Sequence, residues 1–268
     1  MRKNATYLLI VLCFAAGIGV ITVSYKMKQA KNENLYFALQ DRKGELAALP
    51  EWTVTRNQAN MLSKALKENP TDKKSALALA ALFVQEARVT GNYSYYDRAA
   101  MKQVDHVLKL QPDNFEALLF KALIHISQHH FSEGLVVATK AQQINPYNAF
   151  VHGILIDANV ELGNYAEAVM QAEKMVSIRP DLSSYSRISY LREIHGDLTG
   201  AIDAMKLAVE AGQPGADATE WTRVQLGHLY ESMGDLKSAV NQYTVAVEER
   251  PGYVPAIAGL ARIAAAAD

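Results

Sequence analysis

The sequence has only one cysteine among its 268 residues, and this residue, Cys13, lies in an apolar N-terminal run. No intramolecular disulfide can form, so cysteine usage indicates no redox compartment. The sequence also lacks an excess of either charge, since it has 27 basic and 28 acidic side chains and no run of five like charges. Nucleic-acid-binding proteins usually carry a basic excess or a basic face, so we do not expect nucleic acid as a partner.

Signals for catalysis are missing as well. The sequence shows no convincing strand, and therefore no glycine-rich phosphate loop that follows one. No serine has the surroundings of a nucleophile elbow, and Cys13 is unavailable as a nucleophile. We predict no enzymatic activity, no catalytic residue and no cofactor.

Residues 7–23 form an uncharged, largely apolar run with Arg2 and Lys3 before it and three lysines after it. As a helix the run would rise about 25 Å, slightly less than the ~30 Å hydrocarbon core of a bilayer. It is longer than the apolar part of most signal peptides, which spans about 7–15 residues. We predict a single transmembrane helix within residues 1–25. A cleaved secretory signal and a buried soluble helix are the alternatives.

The short basic start followed by an apolar run resembles an export signal. We therefore expect a single-pass membrane protein whose remaining residues lie on the extracytoplasmic, periplasmic side; export after signal cleavage is the alternative. The lysines after the run nearly balance the basic residues before it, so charge does not fix the orientation. Residues 26–55 are predicted to be a linker or spacer.

Four prolines recur at a fixed interval in the rest of the chain. Pro112, Pro146, Pro180 and Pro214 are each 34 residues from the next, and each follows a helix-forming run. A fixed period in this range indicates one supersecondary unit that is copied and stacked. Stacked helical hairpins form long concave surfaces that hold partners and need no catalytic centre.

The last complete copy shows the physical meaning of the spacing. Leu226 and Tyr230 are four residues apart and share one face of the first helix of the hairpin, helix A. Gly227 is small where helices A and B would cross closely. Gly234 is suited to end helix A in the left-handed conformation, and Pro251 would stop helix B.

These motifs resemble the tetratricopeptide repeat, whose pattern is W-x2-L-G-x2-Y, A-x3-F and P. The resemblance covers about residues 56–268, with Arg223 in the place of the family's tryptophan. It implies an all-α fold, a right-handed solenoid of stacked helix-turn-helix hairpins. The predicted units are 71–112, 113–146, 147–180, 181–217, 218–251 and a final helix at 252–268.

Three places depart from the regular period. Pro70 and Pro112 are 42 residues apart, so each helix of the first hairpin should be about one turn longer, on either side of Gly91. Residues 211–217 add about three residues and two glycines, which predicts a bend. The apolar final helix is either a cap or an inner unit of a longer array.

The resemblance also implies a concave groove that is lined by helix A residues away from the hairpin seam. Carried onto this sequence, the candidate partner-binding residues are Phe150, Asp157, Tyr190, Glu193, Trp221, His228 and Glu231. Other positions of the same kind are Gly153, Val160, Ser183, Ser186, Val224, Glu116, Leu119, Leu123 and Ile126. The set suits an extended segment with apolar and basic side chains. The alternative is a groove filled by the protein's own neighbouring helix or linker.

Two histidines and two arginines could carry chemistry. His125 and His129 are four residues apart and could chelate a metal only if helix A continued through both. His129 occupies the slot of the hairpin glycine, so we expect a helix end there and no metal site. Arg192 and Arg223 replace aromatic residues, and we expect them to meet Glu193, Glu220 or another acid between copies four and five. Binding of a ligand carboxylate in the groove is the alternative.

The sequence therefore predicts a membrane-tethered, non-catalytic adaptor that binds a protein or peptide partner in the concave groove. One alternative is a structural scaffold of the cell envelope that self-associates through its apolar end helices. Another is a metal-handling accessory protein centred on His125 and His129. Nothing in the residues names the partner.

Overall fold

The computed structural model describes residues 17–24 and 37–267, in two units that divide after Gln40. In the first unit, residues 17–24 are helical, and Thr22 Oγ1 donates a hydrogen bond to the Ile18 carbonyl at 2.8 Å. Much of the predicted anchor lies outside the described residues. Within the described ranges, no helix is both long and apolar enough to cross a bilayer. The anchor stays a prediction.

The second unit begins at Asp41 and is helical throughout, with no strand in its described residues. A short 3-10 helix, Gly44–Ala47, precedes a series of α-helices. Their bounds are α1 Pro50–Glu68, α2 Lys73–Thr90, α3 Tyr93–Leu110, α4 Phe115–Ser127, α5 Phe131–Ile144, α6 Ala149–Glu161, α7 Tyr165–Ile178, α8 Leu182–Ile194, α9 Leu198–Glu210, α10 Asp217–Ser232, α11 Leu236–Glu249 and α12 Val254–Ala267.

Helices α2 to α11 form five hairpins, each made of an A helix and the B helix that follows it. The pairs are α2 with α3, α4 with α5, α6 with α7, α8 with α9, and α10 with α11, and each hairpin packs on the next. Helices α1 and α12 pack on the two ends of this stack. The predicted all-α solenoid of helical hairpins is confirmed for the second unit.

The first hairpin is longer than the others, as the proline spacing predicts. Helices α2 and α3 have 18 residues each, whereas α4 and α5 have 13 and 14. Gly91 joins the two long helices in the left-handed conformation, with φ of +70°. The added residues therefore extend both helices by about one turn.

The same left-handed turn closes the later hairpins. Gly163, Gly196 and Gly234 have φ of +76°, +83° and +79°. His129 takes this place between α4 and α5 with φ of +59°, as its slot in the repeat predicts. Because α4 ends at Ser127, His125 and His129 do not share a helix and cannot chelate a metal as an i, i+4 pair.

Short polar side chains begin many of the A helices. Asp72 accepts a hydrogen bond from the Ser75 amide at 3.2 Å, and Asn114 accepts one from the Ala117 amide at 2.9 Å. Such caps satisfy amides that have no partner within the helix. The A helices with such a cap therefore start at a fixed residue, and this sets which side chains they present inward.

The core is divided among the hairpins. One cluster joins Ala122 of α4 and Ala138 of α5 to Val151 and Ile154 of the next A helix. Small residues let the helices approach closely, and a Cβ built on Gly227 would lie 2.3 Å from Cε1 of Tyr243. Each hairpin thus buries its apolar seam against its neighbour, which fixes the direction of the stack.

Two connections differ from the regular pattern. Helices α9 and α10 are joined by residues 211–216, whereas the other hairpins are joined by three or four residues. Part of the predicted linker packs on the helices, because Arg42 and Trp52 are both buried. Helix α1 also starts at Pro50, inside the predicted linker of residues 26–55.

Candidate functional site

The A helices of all five hairpins contribute to one cavity of about 530 Å³, which we call the central cavity. Its volume is in the range of small-molecule and side-chain binding pockets. Four aromatic residues from α3, α4, α6 and α10 line it, namely Tyr93, Phe120, Phe150 and Trp221. Tyr93, Phe150 and Trp221 are 44%, 42% and 49% exposed, so their rings are available for contact.

The structure places the residues predicted for the groove in different surroundings. Phe150 and Trp221 line the central cavity, together with Leu123, Ser183 and Ser186. Three further positions, Leu119, Val160 and Val224, are buried in the seams between hairpins and do not face the groove. The periodic pattern places both kinds of residue on the A helices, but the curvature of the stack decides which of them reach the cavity.

Asp157 does not line the central cavity itself but pairs with Arg187, which does. Arg187 Nε and Nη2 donate to Asp157 Oδ1 and Oδ2 at 2.8 and 2.6 Å, and Arg187 Nη1 donates to the Ser183 hydroxyl at 2.6 Å. Burial would lower the pKa of Arg187, but the Asp157 carboxylate outweighs burial and raises it. Arg187 lines the cavity with its charge already paired.

His228 and Glu231 contact side chains of the last two helices, α11 and α12. Tyr243 Oη donates to Glu231 Oε1 at 2.8 Å, and Arg262 of α12 donates to the same oxygen at 2.8 Å. The His228 ring lies edge-on to Tyr243, with 5.8 Å between centroids. Burial would raise the pKa of Glu231, but the hydrogen bonds from Arg262 and Tyr243 outweigh it and lower the pKa. The Glu231 carboxylate is therefore engaged by the protein's own helices.

Tyr190 and Glu193 lie near the C-terminal end of α8, away from the residues that line the central cavity. Tyr190 is exposed and Glu193 is half-buried. Burial raises the pKa of Tyr190, and the nearby carboxylates of Glu161 and Glu193 raise it further. Tyr190, Glu161 and Glu193 therefore lie near one another, outside the central cavity.

Sequence reasoning missed Asp97, a carboxylate in the wall of the central cavity. Asp97 is 4% exposed and accepts a short hydrogen bond from the Ser127 hydroxyl. Burial raises the pKa of Asp97, and the Ser127 hydrogen bond opposes this only in part. An acid at a buried helix B position is the signal that could have identified it.

A group of charged residues joins the first and last parts of the stack; we call Arg42, Glu51, Glu86 and Arg250 the clasp. Arg42 Nε and Nη2 donate to the Glu86 carboxylate at 3.0 and 2.6 Å, and both side chains are fully buried. Arg42 Nη1 and Arg250 Nη2 each donate to Glu51 Oε1 at 3.0 Å. The clasp thus connects residues 199 positions apart in the sequence.

A second ion pair, beside the clasp, also joins the first hairpin to the last one. Arg88, at the end of α2, pairs with Asp217, at the start of α10, at 3.2 Å. A smaller cavity of about 210 Å³ lies here, and Arg88, Tyr93 and Trp221 line both this cavity and the central one. Contacts across the clasp therefore enclose the central cavity on the side where the first and last hairpins meet.

The two arginines in aromatic slots both pair with acids: Arg223 with the predicted Glu220, and Arg192 with Asp197 of its own hairpin instead of Glu193. Arg223 Nε donates to Glu220 Oε2 at 3.0 Å, and the buried Glu220 also accepts from the Gly215 amide at 2.9 Å. Arg192 Nη1 donates to Asp197 Oδ2 at 3.2 Å. Neither arginine lines the central cavity.

The histidine cluster lies at the turn between α4 and α5. The rings of His125 and His130 are 6.0 Å apart between centroids, and burial lowers the pKa of His125. In the part of the chain that the structure describes, no group of three or more histidine, cysteine or acidic side chains is placed to hold a metal ion.

Comparison with known proteins agrees with this geometry. A sequence profile of the tetratricopeptide repeat matches residues 222–253, which cover most of the fifth hairpin. A tetratricopeptide repeat protein of Thermus thermophilus is 22% identical with a TM-score of 0.60, over 70% of this chain and 98% of that one. One from Parabacteroides merdae is 15% identical with a TM-score of 0.64, over 78% and 77%. No curated protein matches the sequence.

The two solved structures show that the fold is similar to a tetratricopeptide-type solenoid over 70% and 78% of this chain, and the profile matches one hairpin of it. At these identities the likeness shows the fold alone. Repeat folds of this kind host unrelated functions, so function has to be argued from the central cavity and its residues.

Proposed function

We propose that this protein is a non-catalytic adaptor that binds an extended segment of a protein partner in its central cavity. The supporting observation is the convergence of aromatic side chains from separate hairpins on one space. Tyr93, Phe150 and Trp221 are partly exposed there, although comparable apolar residues nearby are buried in the seams. Aromatic anchors in a concave pocket are typical of interfaces with a few dominant contacts.

The apolar run at residues 7–23 supports the second part of the proposal, a membrane tether. A tether would confine the adaptor to a surface and raise the local concentration of its cavity near membrane-bound partners. We place the repeats on the extracytoplasmic side, following the export-like N-terminal pattern. Protease treatment of intact cells tests this placement, and full protection of the repeats would overturn it.

Crosslinking and pull-down from membranes test partner binding. The full chain is compared with a cavity variant, Phe150→Ala with Trp221→Ala, and with the control Tyr147→Ala, whose side chain is 78% exposed and outside the cavity. We expect the cavity variant to lose the captured partner and the control to keep it. Equal recovery from all three proteins would refute binding in the central cavity.

Self-association is a second candidate, because α12 leaves apolar side chains uncovered. Val254 and Ile257 are 71% and 45% exposed. A scaffold built through this helix would show a mass that rises with concentration in light scattering, and Ile257→Lys would abolish the rise. A mass that stays constant for the native chain would exclude this candidate.

A further inference from the structure

The charges in the wall of the central cavity do not balance. Two arginines line the cavity, and each has its own acid: Arg187 pairs with Asp157 at 2.6 Å, and Arg88 pairs with Asp217 at 3.2 Å. Asp97 has the Ser127 hydroxyl instead, and within the described residues no cationic side chain pairs with it. The wall and its partners together therefore carry one excess negative charge when Asp97 is ionised.

Because Asp97 is buried, its negative charge is energetically costly. The residue is 4% exposed and shares its wall with Phe120, Ile124 and Tyr93. A buried carboxylate is stabilised by an opposite charge at short range much more than by one neutral hydroxyl. Burial raises the pKa of Asp97, and the hydroxyl of Ser127 offsets this only in part.

We propose that the central cavity selects a segment that carries a lysine or arginine beside an apolar or aromatic residue, with the basic group pairing with Asp97. This inference rests on the proposed function and names the chemistry of the partner. The aromatic rings of Tyr93 and Trp221 would cover the apolar part of the segment and the stem of its basic side chain. Acidic segments are disfavoured, since both arginines in the wall already have carboxylate partners.

Peptide selection on the purified full chain in detergent micelles tests the proposal. A random short-peptide library displayed on phage is selected at neutral pH against the native chain and, in parallel, against Asp97→Asn. Asparagine keeps the shape of the side chain and can still accept a hydrogen bond from Ser127. We expect lysine or arginine next to an aromatic residue in the native pool, and loss of the basic residue from the Asp97→Asn pool.

Affinities of individual peptides give a second readout. Selected peptides are compared with versions that carry norleucine in place of the basic residue, using the fluorescence of Trp221, since Trp52 is buried. We expect the basic peptide to bind the native chain roughly tenfold or more tightly than its norleucine version, and Asp97→Asn to remove that difference. Asp113→Asn, which changes an exposed acid outside the cavity, should keep it.

The outcomes separate this inference from the proposed function. Peptides that are enriched without basic residues, or identical pools for the native chain and Asp97→Asn, would overturn the cation preference and leave cavity binding intact. Absence of any enriched peptide that depends on Trp221 would overturn both. Enrichment that appears only after Lys26, Lys28 and Lys31 are replaced by serine would show that the chain's own segment competes for the cavity, and would overturn binding of a separate partner to the native chain.

Discussion

Tyr243 shows how single residues fix the end of the stack. Its ring is completely buried between two glycines, and a Cβ built on Gly227 or Gly259 would lie 2.3 or 2.8 Å from ring atoms. The ring cannot move away, because Val224 and Ala256 enclose it in the same core. Glycine at these positions is therefore required by close approach of a side chain.

Replacement of Gly227 by alanine is expected to lower the free energy of unfolding by about 1–3 kcal/mol, because the added methyl overpacks the Tyr243 ring. Urea unfolding followed by circular dichroism measures the change. Gln225→Ala on the same helix is the matched control and should stay within about 0.5 kcal/mol of the native protein. An equal loss in both variants would contradict the steric explanation.

His129 adopts the left-handed backbone conformation that favours glycine, although it carries a side chain. Its φ of +59° is sterically costly for a residue with a Cβ, so His129→Gly should raise the free energy of unfolding by about 0.5–1 kcal/mol. His130→Gly is the control, because His130 has φ of −88° and gains nothing from glycine. Thermal unfolding of both variants tests the prediction, and stabilisation by His130→Gly alone would refute it.

At the scale of the element, α2 is an apolar helix that contains one fully buried acid. Glu86 is surrounded by the packed face that includes Leu82 and Phe83, and only the guanidinium of Arg42 makes its burial tolerable. Arg42 is brought there from outside the helix, by the segment before α1. The helix and that segment therefore depend on each other.

Glu86→Leu is expected to cost about 2–4 kcal/mol, because it leaves the buried guanidinium of Arg42 with the half-exposed Glu51 and the Trp52 ring in place of a buried carboxylate. The double variant Arg42→Leu with Glu86→Leu should recover most of that loss, since it removes both charges. Glu68→Leu, an exposed change on α1, controls for the added leucine. Chemical unfolding of these variants and of Arg42→Leu alone tests the pairing, and a double variant that loses as much stability as the two single variants together would contradict it.

The helices follow from local rules, and this is why the sequence predicts them. Gly91 and Gly234 end helices by adopting a conformation that other residues avoid, and Pro112, Pro146 and Pro180 each follow the end of a B helix. The positions of Arg42 and Asp97 do not follow from such rules. Arg42 lies outside the repeats, and Asp97 reaches the cavity only because the first hairpin is long and the stack is curved.

At the scale of the whole second unit, the clasp holds the first and last parts of the stack together only while the Glu51 carboxylate is ionised. Burial would raise the pKa of Glu51, but hydrogen bonds from Arg250 and Arg42 outweigh burial and lower it. Because the folded-state pKa lies below the unfolded value, Glu51 stabilises the fold above its unfolded pKa of about 4.3. This stabilisation is lost as the pH falls through the folded-state pKa.

Glu51→Gln should therefore lower the melting temperature at neutral pH and approach the native protein in acid. The loss at neutral pH corresponds to about 1–2 kcal/mol, since Glu51 is partly exposed and its ion pairs are screened. Melting curves across the acid range give the comparison, and small-angle scattering should show a larger radius for the variant. A difference between the two proteins that is independent of pH would argue against the clasp as its source.

The contact between Glu51 and Arg250 also limits how the partner segment that we propose could enter and leave the central cavity. While this contact holds, a peptide chain can enter the space behind it only with a free terminus first. The other route requires the ion pair between Glu51 and Arg250 to break. A loop with folded domains on both sides can enter only by the second route. Its release should then speed up with added salt, because salt weakens the attraction between these two charges.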